Sequence, residues 1–140
     1  MAGRSITLEQ AQAVVAAALK EGRAQNYQPL TVAVLDPGGH LLAFAREDNS
    51  SNLRPQIAIA KAAGALALGL PTRILGEMAA ERPTFINALS TISPVGVVPA
   101  AGGLLIYNAE SEVVGAIGVT GDISDNDELC AKAGIAALTF

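Results

Sequence analysis

Residues 102–122 read GGLLIYNAESEVVGAIGVTGD. GGLLIY and EVVGAIGV are two apolar, partly β-branched runs joined by the polar turn NAES, the pattern of an antiparallel hairpin. Gly115, Gly118 and Gly121 ahead of an acidic helix start invite a second reading, as a phosphate-binding loop. Such a loop puts its glycine turn between a strand and a helix, with GxGxxG spacing or with Lys and Ser/Thr behind it. Here the spacing is GxxGxxG, no GK[ST] follows, and Gly115 and Gly118 fall inside the strand pattern. Glycine within a strand marks a bulge or a place where another group comes close. These residues therefore predict clearance beside a strand, and the nucleotide-binding reading is rejected. Gly121 stands between strand and helix, where the N–H groups of residues 120–124 are the donors a ligand oxygen would meet. Asp122, Asp125, Asp127 and Glu128 oppose an anion there and read as partners of the helix dipole.

Working outward, LTVAVLD (30–36) and HLLAFAR (40–46) flank Asp36, Pro37, Gly38 and Gly39, which predicts a second hairpin. VGVV (95–98) reads as a further strand, making five antiparallel strands in all. Thr7 and Gln10 form a capping box, and Leu8, Ala11, Val14, Val15, Ala18 and Leu19 share one face of a helix running to about Arg23. Pro55 suits the first residue of a second helix ending at Gly69, with Pro71 as a stop. One or two further helical turns are expected between Arg73 and Leu89, and Ser124 with Asp127 starts a last helix ending near Leu138. The order gives an α+β layer architecture.

The chain of 140 residues is 51% hydrophobic and 16% charged, enough for one core and one domain spanning 1–140. The longest apolar run, IAIAKAAGALALGL (57–70), is too short to span a bilayer. The start MAGRSITLEQ lacks the basic-then-apolar order of a secretory signal, which predicts a cytoplasmic protein that does not engage a membrane. Net charge is −4, with six acidic residues against Lys132 over 108–132, and without a basic stripe nucleic acid is not an expected partner. Cys130, the single cysteine, reads as a small buried hydrophobe. The Ala- and Gly-rich helix over 57–68 offers small side chains on several faces, which predicts a homo-oligomer with that helix near the interface.

Three groups carry candidate chemistry. His40, the single histidine, cannot build a zinc site alone, but one axial histidine suffices to hold a haem iron. Arg54 and Lys61 lie seven residues apart on one helix face, and Arg46 and Asp48 lead into that helix. Lys61 sits in an apolar run, where its ammonium needs a carboxylate or a ligand anion. Asp48 or Asp36 is the expected carboxylate. Two readings follow: a salt bridge pinning loop to helix, or a cationic pocket for carboxylate or propionate groups. A lysine desolvated beside Asp48 is also the best general acid–base pair in the chain.

LDPGGHLLAFAREDNS, the IAIAKAAGALALG helix with its internal lysine, GGLLIYNAESEVVGAIGVTGD and DNDELCAKAGIAAL together resemble the GlcG/HbpS-like family, from about Thr7 to Leu138. The resemblance implies a profilin-like, three-layer α/β/α fold with a five-stranded antiparallel sheet, a homo-oligomer, and in some members haem as ligand. Taken with the residues singled out above, ligand contacts are expected at Arg46, Lys61, Gly103, Thr120 and Gly121 from the resemblance and at Arg54 from its place on the helix face, with His40 or Thr120 approaching the iron. The alternative is a cofactor-free accessory enzyme, an isomerase, tautomerase or hydrolase of a small oxo-acid, with Lys61 and Asp48 as its catalytic pair.

Overall fold

The computed structural model describes residues 4–140. Residues 1–3, on which part of the leader reading rests, lie outside the described residues. Five helices, α1 (Leu8–Ala24), α2 (Arg54–Leu68), α3 (Thr72–Glu81), α4 (Pro83–Ile92) and α5 (Ser124–Ala136), accompany four strands, β1 (Thr31–Leu35), β2 (Leu41–Arg46), β3 (Gly103–Tyr107) and β4 (Val113–Thr120). The strands form one antiparallel sheet in the order β2-β1-β4-β3. Both expected hairpins are present, and the capping box holds: Gln10 N donates to Thr7 Oγ1 and Thr7 N to Gln10 Oε1. α2 carries its proline at the start and ends on Gly69 in the left-handed conformation.

Two expectations are corrected. The sheet has four strands, because residues 95–98 are irregular. Pro94 and Pro99 bracket that segment and neither can donate to a ladder. Gly96 turns at φ +83, and the carbonyl of Pro99 lies where a side chain on Gly76 of α3 would point. The segment therefore packs on a helix, and β3 stays at the edge of the sheet. The middle of the chain forms two full ten-residue helices, separated at Pro83, which begins α4 because a proline is tolerated only in a first turn.

Helices cover both faces of the sheet. α1 and α5 pack on each other and on one face, where Val14, Val32, Val34, Ile106, Ile117 and Val119 form the larger core. α2 covers the other face and meets Leu35, Leu105 and Ala116 through Ala62 and Ala65. Its approach is unusually close because both sides are small. A Cβ on Gly118 would run into the Ala58 carbonyl and lie 2.9 Å from Ala62 N, and one on Gly103 would run into the Lys61 carbonyl. Gly118 and Gly103 are thus clearance for a helix backbone, while Gly115 leaves room for the Leu35 carbonyl and the Ile6 side chain. The Ala/Gly stripe of α2 is spent on the chain's own sheet.

Substitution of Gly118 by Ala is expected to lose about 3 kcal/mol or more, because the obstacle is backbone that cannot turn aside. Gly64, also buried on α2 but with only Leu75 Cδ1 of α3 at 3.7 Å, should accept alanine with no loss and a gain of up to about 1 kcal/mol from helix propensity. Urea unfolding of both variants checks this; equal effects would contradict the packing account.

Candidate functional site

The sheet presents a polar row at the start of β1. Arg46, Thr31 and Thr120 are directly paired across β2, β1 and β4, and paired residues share a face. Val32 and Val34 belong to the core under α1 and α5, so this row faces α2. Arg54, the first residue of α2, donates from Nη1 to Thr120 Oγ1 at 2.7 Å. Arg46 donates from Nη2 to the Ser50 carbonyl, in the loop leading into α2. The hydroxyls of Thr31 and Ser50 are buried and have no hydrogen-bond partner. Beside the row lies a cleft of about 440 Å3 lined by Arg23, Pro29, Arg46, Glu47, Asp48 and Asn49. Its far wall is held by Arg23 Nε against Glu47 Oε2 at 3.1 Å, while Glu47 Oε1 accepts from Leu30 N at 2.7 Å. Arg46, Arg54 and Thr120 are thus brought together, with Asp48 in the adjoining cleft.

Lys61 is not part of that group. Its Nζ donates to the Val119 carbonyl at 2.9 Å and to Asp127 Oδ2 at 3.3 Å, with both side chains almost fully buried. This corrects the expected partner: Asp48 is exposed, and Asp36 caps its own hairpin by accepting from Gly38 N, His40 N and the His40 ring. The lysine reaches from α2 to α5, on opposite faces of the sheet, past the first residue of β3. Gly102 makes the opening: it sits at φ +129, and a Cβ there would lie 2.8 Å from Lys61 Nζ and collide with the Val119 carbonyl. Burial pulls the Lys61 ammonium below its ordinary range and the Asp127 carboxyl above its own, and each is held against that pull by the other's charge. Asp127 also accepts from Asp122 N through Oδ1 at 2.9 Å. The acids at the α5 start, read in the sequence as dipole partners, also serve as cross-links: Arg73 of α3 binds Asp125 at 2.6 Å and Glu128 at 3.1 Å.

With Nζ enclosed and Asp48 elsewhere, Lys61 and Asp48 do not form an acid–base pair. Gly103 and Gly121 leave no room for a ligand at their Cβ positions, which meet the carbonyls of Lys61 and Pro29 respectively. His40 follows the far end of β1, about 13 Å of strand away from Thr31, and its exposed ring lies 3.0 Å from Asp36. It does not join the arginines. No cluster of three His, Cys, Asp or Glu side chains suited to a metal is found among the described residues. Cys130 is buried, and burial pushes its thiol up to about 11. The residues that sequence reasoning missed are Thr31 and Ser50, and Asp127 as the lysine's partner. The one signal for Thr31 was a hydroxyl opening an otherwise apolar strand.

Lys61→Met and Asp127→Asn are each expected to lose about 3–5 kcal/mol, since either leaves a buried charge alone. The double variant should lose clearly less than the sum. Additive losses in urea unfolding would show that the two groups do not interact.

The family model for haem degrading protein HbpS-like matches residues 6–136. Protein GlcG of Escherichia coli strain K12 is 31% identical over 116 residues, covering 82% of this chain and 81% of GlcG. The crystal structure of a double mutant of Streptomyces reticuli HbpS superposes with a TM-score of 0.85 at 30% identity, over 100% of this chain and 91% of that one. A crystal structure of a PduOC:heme complex shares the fold, with a TM-score of 0.85 at 20% identity over 96% of each chain. The chain belongs to the HbpS-like family.

Proposed function

We propose that this chain binds a small carboxylate-bearing ligand at the Arg46–Thr31–Thr120 row, and that haem held by its propionates is that ligand. One observation carries the reading: two guanidinium groups, Arg46 from the end of β2 and Arg54 from the start of α2, flank one row of hydroxyls on one face of the sheet. Arginine is the side chain best matched to a carboxylate, through paired N–H donors. The likeness to HbpS and to the fold of a haem complex supports the same reading.

The residues fit haem in part. Arg46 and Arg54 suit its propionates, and Leu53 and Ile123, both exposed apolar side chains, flank the first turns of α2 and α5 next to Arg54 and Thr120. They do not put a nitrogen or sulfur donor beside the row, because His40 lies beyond the other end of β1 and Cys130 is in the core. Bound haem would supply the iron chemistry, while this chain's residues would supply the carboxylate contacts and the orientation.

Titration of the protein with hemin is expected to shift the Soret band. The Arg46→Ala/Arg54→Ala variant should bind at least about tenfold more weakly, the scale of a lost charge-assisted hydrogen bond, and His40→Ala should bind as wild type. A hemin spectrum in the presence of protein identical to that in buffer would remove haem as the ligand.

Cytoplasmic location and a homo-oligomer belong to the same proposal. Among the described residues no single helix is long and apolar enough to cross a membrane. The outer side of α2 keeps a half-exposed apolar cleft of Ile59, Ala63, Leu66 and Ala67 against Pro94 and Val95, which supports a subunit contact there. Light scattering at micromolar concentration should return a multiple of the monomer mass; the monomer mass alone would end the oligomer reading.

A further inference from the structure

We infer that the first turn of α2, together with the hydroxyls beneath it, forms a seat for one carboxylate group. The inference rests on the reading that this end of the sheet is the ligand site, and it names the chemistry the site selects. α2 is 15 residues long, its N-cap Leu53 gives no side-chain cap, and its first turn holds no acidic residue. The positive end of its dipole is therefore uncompensated. A bare helix start is common, and by itself says nothing. What sets this one apart is the pair of orphaned hydroxyls near it: Thr31 is fully buried, Ser50 is 7% exposed, and neither side-chain oxygen has a partner. Leaving a buried hydroxyl unpaired is unfavourable, and two of them at one helix start point to an acceptor that the protein does not itself provide.

Thr31 is aimed at that place by register. Its neighbours Val32 and Val34 point into the core on the opposite face, and its row partner Thr120 is in contact with Arg54 of the first turn of α2. Thr120 accepts from Arg54 and keeps its own proton to donate. Ser50 is held under the same turn, with its carbonyl bound by Arg46 and the next residue's carbonyl accepting from Arg54 N. The unused donors here are three hydroxyls, the remaining N–H groups of two guanidiniums and the Gln56 N–H of the first turn, since Pro55 has no N–H and those of Arg54 and Ile57 are bonded to Ser51 and Leu53. The ligand must bring acceptors. Its charge is bounded as well: Arg23, Arg46 and Arg54 against Glu47 and Asp48 leave a formal surplus of one positive charge around the seat and the adjoining cleft. A carboxylate monoanion matches that surplus better than a phosphate dianion. The cleft of about 440 Å3 adjoins the seat through Arg46, which lines it and also holds the Ser50 carbonyl.

The test uses the full chain, labelled with 15N, and sodium propionate as probe, compared with sodium chloride at equal ionic strength and with inorganic phosphate. Saturable shifts are expected at the amides of Thr31, Arg54, Gln56 and Thr120, with phosphate binding more weakly than propionate. Thr31→Val and Ser50→Ala should each weaken propionate at least about tenfold, while Thr31→Val raises the melting temperature of the ligand-free protein by removing an unpaired buried hydroxyl. A hydroxyl that is only a packing defect would give the same stabilisation with propionate binding unchanged, and that result overturns the seat. Absence of saturable shifts overturns it too, and phosphate binding as tightly as propionate overturns the carboxylate assignment. Hemin separates the two levels: propionate binding that depends on Thr31 without any hemin binding leaves the seat standing and removes haem. Hemin binding that depends on the arginines but not on Thr31 does the reverse.

Discussion

The rest of the structure hangs on a single buried ion pair, Lys61 with Asp127, made through a gap at the edge of the sheet. A lysine taken out of water is tolerated only if a carboxylate and further acceptors meet it at once. Here Asp127 and the Val119 carbonyl do so. The contact is possible because the sheet has an opening just before β3, where Gly102 takes a conformation and leaves a space that other residues would not. The two helical layers are thereby tied to each other as well as to the sheet between them.

That tie fixes α2 along its length, and the position of Arg54 follows. Seven residues separate it from Lys61, two helical turns or about 10 Å, which carries its guanidinium to Thr120 at the end of β4. The second constraint is lateral. Ala58 and Ala62 of α2 lie directly on Gly118, and the Lys61 carbonyl lies on Gly103, so the helix can neither lift nor slide without losing contacts on several residues. Held in both directions, its uncapped start is positioned over Thr31 while the sheet-facing side of its middle is closed against solvent. Rigid elements make a more exact binding site than loops do, and the proposed one draws on three strands and a helix terminus, with Ser50 of the loop between β2 and α2.

The chemistry is divided between the two ends of β1. Cations and hydroxyls gather where the strand begins, and the histidine stands beyond where it ends, already engaged with Asp36. No single small ligand spans both through direct contacts. The groups at the first end are hydroxyl and guanidinium donors, which suit recognition through charge and hydrogen bonding over coordination of a metal.

The sequence alone determined the local pieces whose signals are local. The capping box at Thr7, the Asp36–Gly39 turn, the proline and glycine that bound α2, and the hairpin around NAES each depend on residues within a few positions of one another, and each is present. It also distinguished the strand glycines from a phosphate loop, because their spacing was wrong for an anion and right for clearance. What lay beyond it were choices among distant residues. VGVV has the composition of a strand, but only the surrounding prolines and the surface of α3 decide that it packs as irregular chain. Asp48 and Asp36 were the two carboxylates expected for Lys61, and Asp127 was not among them. The fold selected the one 66 positions away, because desolvation makes the lysine take whichever acceptor the packed layers bring within reach, and sequence distance plays no part in that. Thr31 and Ser50 were silent for the same reason: a hydroxyl becomes informative only when burial has removed water and left it without a partner.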